Sequence, residues 1–192
     1  ARMAGVPIVV TTLHGSLLNA TTPFFKKILW FLYHTIIEML SDYTLTVNKE
    51  DALFLVKNGV CDANRIEALR GGVGRNLEFF SPLRFSADVI ADTKLKLGIP
   101  RDCVVIGIVA RIIKSKGYLD LFEAFAMVRG KNPHTLLLVI GGVDEERTDH
   151  ITPRIAEHYG ISNASLFLGE QNNMPELYAV MDICVLPSCR EG

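Results

Sequence analysis

Arg111 and Lys116 stand five residues apart in VVIGIVARIIKSKGYLDL, and Gly117 follows the lysine directly. An apolar run ends at Arg111 and a helical pattern begins after Gly117, so both cations fall between a strand's carboxyl end and a helix start. First-turn N–H groups of a helix have no intrahelical acceptor. Together with a guanidinium and an ammonium they concentrate positive potential in one small volume, which suits a phosphate or diphosphate. The guanidinium grips two oxygens and the ammonium acts as a point charge. The competing reading is a solvated surface loop; coincidence with a strand end and a helix start argues against it.

Glu191 lies near the end of MPELYAVMDICVLPSCREG, just after Pro187 and Ser188, where another apolar run finishes. In open α/β sheets ligands bind outside the carboxyl ends of the strands. A carboxylate is a poor partner for a diphosphate but accepts hydrogen bonds from sugar hydroxyls. A cationic pair for phosphates and an acid for hydroxyls together describe a nucleotide-sugar site. His14 ends the run VPIVVTTL and precedes Gly15. Taken alone, a single histidine there reads as an ordinary structural residue.

The elements that position these groups follow from hydrophobic patterning. Val6 to Leu13, Tyr43 to Val47, Cys103 to Ala110, Thr135 to Gly141, Ala164 to Leu168 and Asp182 to Pro187 are nearly continuous apolar runs. Such runs predict strands buried on both faces of a parallel sheet. Between them lie helical stretches, the clearest after Gly117, with Tyr118, Leu121, Phe122 and Phe125 on one face and Asp120 and Glu123 pointing away. The alternation predicts βαβ units with right-handed crossovers. RGGVGRNLEFFSPLRF (Arg70 to Phe85) breaks the rhythm with glycines and a proline, which marks a connection between domains. Residues 1–80 then hold two or three strands of one sheet and residues 81–192 four strands of a second. The chain therefore reads as a piece of a longer protein, with each domain incomplete.

The 192 residues are 49% apolar, enough for a real core, and a net charge of −1 leaves no basic field for nucleic acid. Cys61, Cys103, Cys184 and Cys189 form no CxxC pair and suit reduced thiols in a cytoplasmic setting. The histidines form no metal-binding spacing, and Asp144, Glu145 and Glu146 read as a solvated helix start. Phe24 to Leu40, FFKKILWFLYHTIIEML, is too short and too polar to span a bilayer. Two readings of it stand: a helix packed on a sheet, or one resting on an anionic membrane surface through its aromatic residues and Lys26 and Lys27. Different faces of one helix can do both.

The blocks ARMAGVPIVVTTLHG, YTLTVNKEDA, GVGRNLEFFSP, VARIIKSKG and FLGEQNNMPELYAVMDICVLPSCREG together resemble the family 4 glycosyltransferases of the GT-B type. The resemblance covers nearly the whole chain, and its last two blocks are highly specific together. It implies two Rossmann-like doubly wound parallel sheets, both incomplete here. It also implies that Arg111, Lys116 and Gly117 bind the donor diphosphate, and that Glu191 faces the donor sugar. Glu191 would be the first of two glutamates, the second lying eight positions on, past Gly192. His14 would line the cleft from the opposite domain, and Gly169, Glu170 and Asn172 would lie where the nucleotide base is held. Two departures are visible: Asn76 stands where an Asp is usual, and Gly141–Gly142 replace a longer glycine-rich turn.

The expected activity is transfer of a sugar, with retention of configuration, from a nucleoside-diphosphate sugar to a glycan or lipid-linked acceptor hydroxyl, with no metal or other cofactor. Members that build capsule, exopolysaccharide or lipopolysaccharide act at the cytoplasmic face of the membrane, which implies peripheral association through residues 24–40. Two alternatives are a non-catalytic nucleotide-sugar-binding module and a GT-B nucleotide-sugar epimerase. No GxGxxG opens a helix after any strand, which disfavours a dinucleotide-dependent oxidoreductase.

Overall fold

Among the described residues of the computed structural model, seven strands, every one paired in parallel with its neighbour, alternate with helices. The structure describes residues 1–15, 18, 22–69, 74 and 76–188. The contacts divide the chain into two units, one within residues 1–75 and one beginning at Asn76.

The first unit carries strands β1 (Val10–Leu13), β2 (Tyr43–Thr46) and β3 (Ile66–Ala68), hydrogen-bonded in that order. Helix α1 (Phe24–Leu40) joins β1 to β2, and α2 (Lys49–Lys57) joins β2 to β3. Asn48 caps α2 by accepting from Asp51 N–H, and Glu50 and Asp51 occupy its first turn, favourable signals for a helix start. Trp30 and Phe31 of α1 pack with Phe54 and Leu55 of α2 over Leu13 and Ile66, forming the core of this unit.

Two expectations for this unit need correction, and one strand escaped the patterning. β1 starts at Val10 rather than Val6; Pro7 lacks an N–H for a ladder, and Ile8 is exposed. The inward positions of β2 are the threonines Thr44 and Thr46, satisfied by the Glu38 carboxylate and the Asn48 carbonyl, rather than apolar residues. β3 is a three-residue strand that hydrophobic patterning missed.

The second unit opens with α3 (Ala87–Lys96), followed by β4 (Val104–Val109), α4 (Tyr118–Lys131), β5 (Thr135–Ile140), α5 (Ile155–His158), β6 (Ser165–Gly169), α6 (Met174–Ala179) and β7 (Ile183–Cys184). The sheet order is β6-β5-β4-β7. Alternate residues of β5 face opposite cores. Leu137 and Val139 meet Leu121, Phe122 and Phe125 of α4, while Leu138 and Ile140 meet Leu177 and Val180. The four aromatic and leucine positions assigned to the inner face of α4 are all buried, and Asp120 and Glu123 are exposed. Full burial of a Phe side chain contributes about 1.5–3 kcal/mol, so Phe122 and Phe125 are principal holders of this layer.

β7 is shorter than the predicted Asp182 to Pro187 run and is exposed rather than buried, because it is an edge of the described sheet. Its register is fixed from its entry. Asp182 Oδ2 accepts from Val105 N–H at 2.8 Å and faces Lys94 Nζ at 3.6 Å, and Val185 N–H donates to Gly107 O at 2.8 Å. Among the described cysteines, Cys61, Cys103 and Cys184 are free thiols; burial, with Glu38 beside it, pushes the Cys61 thiol up to about 12.

Candidate nucleotide-sugar site

The order β6-β5-β4-β7 reverses direction at β4: the chain moves outward from β4 to β5 to β6, then returns to the other side of β4 as β7. Helices α4 and α5 pack on one face of the sheet and α3 and α6 on the other. The loops leaving β4 and β7 therefore diverge from a topological switch point, where open α/β sheets form their ligand crevice. Arg111, Lys116 and Gly117 belong to the first of these loops, and Pro187 and Ser188 to the second.

The two loops touch at Gly117. Lys114–Lys116 form a 3-10 turn that ends at Gly117 in the left-handed conformation, φ 74° and ψ 22°, and α4 begins at the next residue. A Cβ on Gly117 would lie 2.0 Å from the Pro187 carbonyl oxygen, so only glycine fits. Glycine also leaves the start of α4 without a side-chain cap, so its first-turn N–H groups are not consumed by the residue before them. Tyr118, fully buried, holds the turn from beneath by donating its hydroxyl to Ala110 O at 2.7 Å. Burial pushes the Tyr118 phenol above its ordinary value, so it stays a neutral donor.

Arg111 is more than half exposed, and its Nη1 pairs with Asp144 Oδ2 at 3.0 Å. This overturns the reading of Asp144 to Glu146 as a helix start: the segment is a loop after β5, and Asp144 is an ion-pair partner. Asp149 supports the same loop. Its main-chain oxygen accepts from Lys114 N–H at 2.8 Å and its carboxylate from Ser115 N–H. Hydrogen bonding to Arg147, with Nε 2.7 Å from Oδ1, holds the Asp149 carboxyl below its usual range. Neither acid was assigned to this loop from sequence, because the groups each meets there lie more than thirty positions away.

The rim continues across β5 and β6. Gly141 has φ 144°, its Cβ position would overlap the Ala110 carbonyl oxygen at 2.0 Å, and its N–H donates to Gly169 O at 2.8 Å. A Cβ on Gly142 would lie 2.8 Å from Glu170 Oε1, which places that carboxylate over the Gly141–Gly142 turn. Gly169 and Glu170 are thus knitted to the end of β4 through Gly141, while Asn172 is exposed in the loop before α6. Asn76 Oδ1 accepts from Phe79 N–H at 3.1 Å, a turn-capping bond that an Asp also makes.

His14 follows the last residue of β1 in the first unit and is exposed at that strand's carboxyl end. Glu191 lies outside the described residues, as does Cys189. A cleft of about 500 Å³ in the first unit is lined by Glu38, Cys61 and Arg65 among others, where the chain enters β2 and β3. Thr44 occupies both Glu38 oxygens, and Arg65 donates to main-chain carbonyls of Glu38 and Asp42. Among the described residues no group of three or more His, Cys, Asp or Glu side chains is placed to hold a metal ion.

Residues 90–192, more than half of the chain, match the family described as glycosyl transferases group 1. The chain belongs to that family. It is 27% identical over its full length to the Escherichia coli UDP-Gal:alpha-D-GlcNAc-diphosphoundecaprenol alpha-1,3-galactosyltransferase and covers 48% of that protein. It is 31% identical, over 85% of its length, to the putative glycosyltransferase EpsD of Bacillus subtilis, of which it covers 42%. It thus spans about half the length of the curated relatives it matches. The crystal structure of Anabaena HepE in complex with UDP and glucose superposes on 94% of this group 1 chain, and on 46% of HepE, with a TM-score of 0.72 at 17% identity. That identity speaks to fold alone: α/β, of the GT-B type, with two partial parallel sheets.

Proposed function

We propose that this group 1 glycosyltransferase chain moves a sugar from a nucleoside-diphosphate sugar to an acceptor hydroxyl with retention of configuration. Residues 81–192 would form part of the nucleotide-sugar-binding domain and residues 1–80 part of the acceptor-side domain. The observation that carries this reading is the packing of Gly117 against Pro187 at the β4/β7 switch point. It brings the cationic loop, the uncapped start of α4 and Pro187 of the loop after β7 together at one rim.

As the glycosidic bond breaks, negative charge grows on the departing diphosphate. Arg111, Lys116 and the N-terminus of α4 meet that charge with dipoles and cations already in place, so little reorganisation opposes the step. In this reading the cations do the work a metal does elsewhere, Glu191 and His14 contact sugar and acceptor, and Gly169, Glu170 and Asn172 lie beside the base. UDP-sugars are the first donors to test, because the galactosyltransferase relative uses UDP-Gal and HepE binds UDP.

The deciding experiment incubates the full-length protein with UDP-sugars, with and without polyprenyl-diphosphate-linked acceptors, in the presence of a chelator. The expected result is acceptor-dependent release of UDP and an α-linked product. Tight donor binding without turnover would identify a binding module, and conversion of the sugar without acceptor an epimerase.

The diphosphoundecaprenol-linked acceptor in the galactosyltransferase relative's name motivates a membrane-surface role for α1. Only Trp30 and Glu38 of α1 are buried, whereas Phe25, Leu29, Leu32, Tyr33 and Ile36 form an exposed apolar stripe near Lys26 and Lys27. No helix among the described residues is long and apolar enough to cross a membrane. We therefore place the enzyme peripherally at the cytoplasmic face. Flotation with liposomes should increase with anionic lipid and fall when Lys26 and Lys27 become Glu; lipid-independent recovery would reject this role.

A further inference from the structure

Resting on the donor-site reading above, we propose that Asp144 is a positioning residue for the nucleoside diphosphate, acting through Arg111. An arginine more than half exposed is free to sample many rotamers, and a diphosphate is captured well only when the guanidinium already faces it. Asp144 supplies that restraint through its 3.0 Å ion pair with Nη1. A guanidinium carries five N–H donors in a fixed fork, so anchoring one terminal nitrogen leaves donors for phosphate oxygens.

The carboxylate is held where it must be, because its own main chain is tied to the loop it serves. Ile112 N–H donates to Gly142 O at 2.9 Å, Ile151 N–H to Ile112 O at 3.0 Å, and Ile113 bridges His150 in antiparallel fashion. Residues 142–151 thus form a strap along the cationic loop. Arg147 also lies on the strap and its Nε is engaged by Asp149, so Asp149 rather than Asp144 carries that second guanidinium. A carboxylate on such a strap stays beside Arg111 when ligand arrives, which distinguishes a support from a counter-ion that must leave.

The test is UDP binding by calorimetry in the full-length wild type, Asp144→Ala, Asp144→Asn, Arg111→Ala and the double alanine variant, with thermal unfolding as the folding control. Because the pair is solvated, Asp144→Ala should weaken UDP about fivefold, with a matching rise in the donor KM. Asp144→Asn, which keeps an acceptor for Nη1, should recover part of the loss. In the Arg111→Ala background Asp144→Ala should have no further effect, since its action passes through the arginine. Tighter UDP binding by Asp144→Ala would overturn the proposal in favour of a competitor, and additive losses would overturn it in favour of general support of the fold. If Arg111→Ala weakens UDP but Asp144→Ala does not, the role of Asp144 falls alone. A wild type that binds none of UDP, GDP or ADP would sink the donor site itself, and this role with it.

Discussion

Arg111→Ala or Lys116→Ala in the full-length protein should lower kcat/KM for the sugar donor by about a hundred- to a thousandfold, the scale of removing one preorganised oxyanion donor. In free energy this is about 3 kcal/mol of transition-state stabilisation. Both residues belong to one loop whose ends are fixed, by Ala110 at the close of β4 and by Gly117 at the head of α4. The loss should exceed that of an ordinary surface ion pair, about 0.2–1 kcal/mol, because the charge they meet develops during the reaction. It should also appear in kcat as well as KM, since the departing diphosphate carries more charge at its bridging oxygen than the bound donor does. Steady-state kinetics with varied donor at saturating acceptor measure both. Turnover within a factor of two of wild type in both variants would remove this loop from the chemistry.

Much of this site is legible in the order of residues, and what is not legible has a definite physical character. The strands β4 and β5 announce themselves because both faces are buried, so their side chains are apolar without alternation. The face of α4 is equally plain, since a 3.6-residue period needs no knowledge of what lies opposite. Edge elements are different. β7 is two residues long and exposed, and β3 is three residues with a glutamate in the middle, so neither carries enough apolar signal to set its limits. Within β2 the buried positions are threonines, legible only once Glu38 is known to sit beneath Thr44.

Long-range polar pairs are the harder case. The run Asp144–Glu146 has the composition of a helix start, and nothing local says that Asp144 belongs to Arg111 or that Asp149 holds the Ser115 N–H. Those bonds exist because β4 and β5 lie side by side in register, Val109 opposite Ile140, which brings their following loops together. A pattern search that paired the segments leaving adjacent parallel strands would have found the juxtaposition. The Gly117 contact with Pro187 has the same origin: β7 returns to the free side of β4, so two loops seventy residues apart share one rim.

That contact supports the second large expectation, that Gly117→Ala abolishes most turnover. Alanine at φ 74° costs about 1–2 kcal/mol of backbone strain wherever it occurs. Here its Cβ would also sit 2.0 Å from Pro187 O and 2.7 Å from Pro187 C, and main-chain atoms have no rotamer by which to escape. Reaching an ordinary contact of 3.4 Å requires the head of α4 and the β7 loop to separate by about 1.4 Å, the difference between the two distances. A displacement of about 1 Å in a catalytic arrangement costs about a hundredfold. Gly98 provides the matched control, because its φ is +70° and a Cβ there meets nothing within 4 Å. Gly98→Ala should therefore share the strain without the clash, seen as a smaller loss of thermal stability, and retain turnover. Gly117→Ala should lose both stability and about two orders of magnitude in kcat/KM. Equal activity in the two variants would mean that the junction between the β4 and β7 loops does not position the donor.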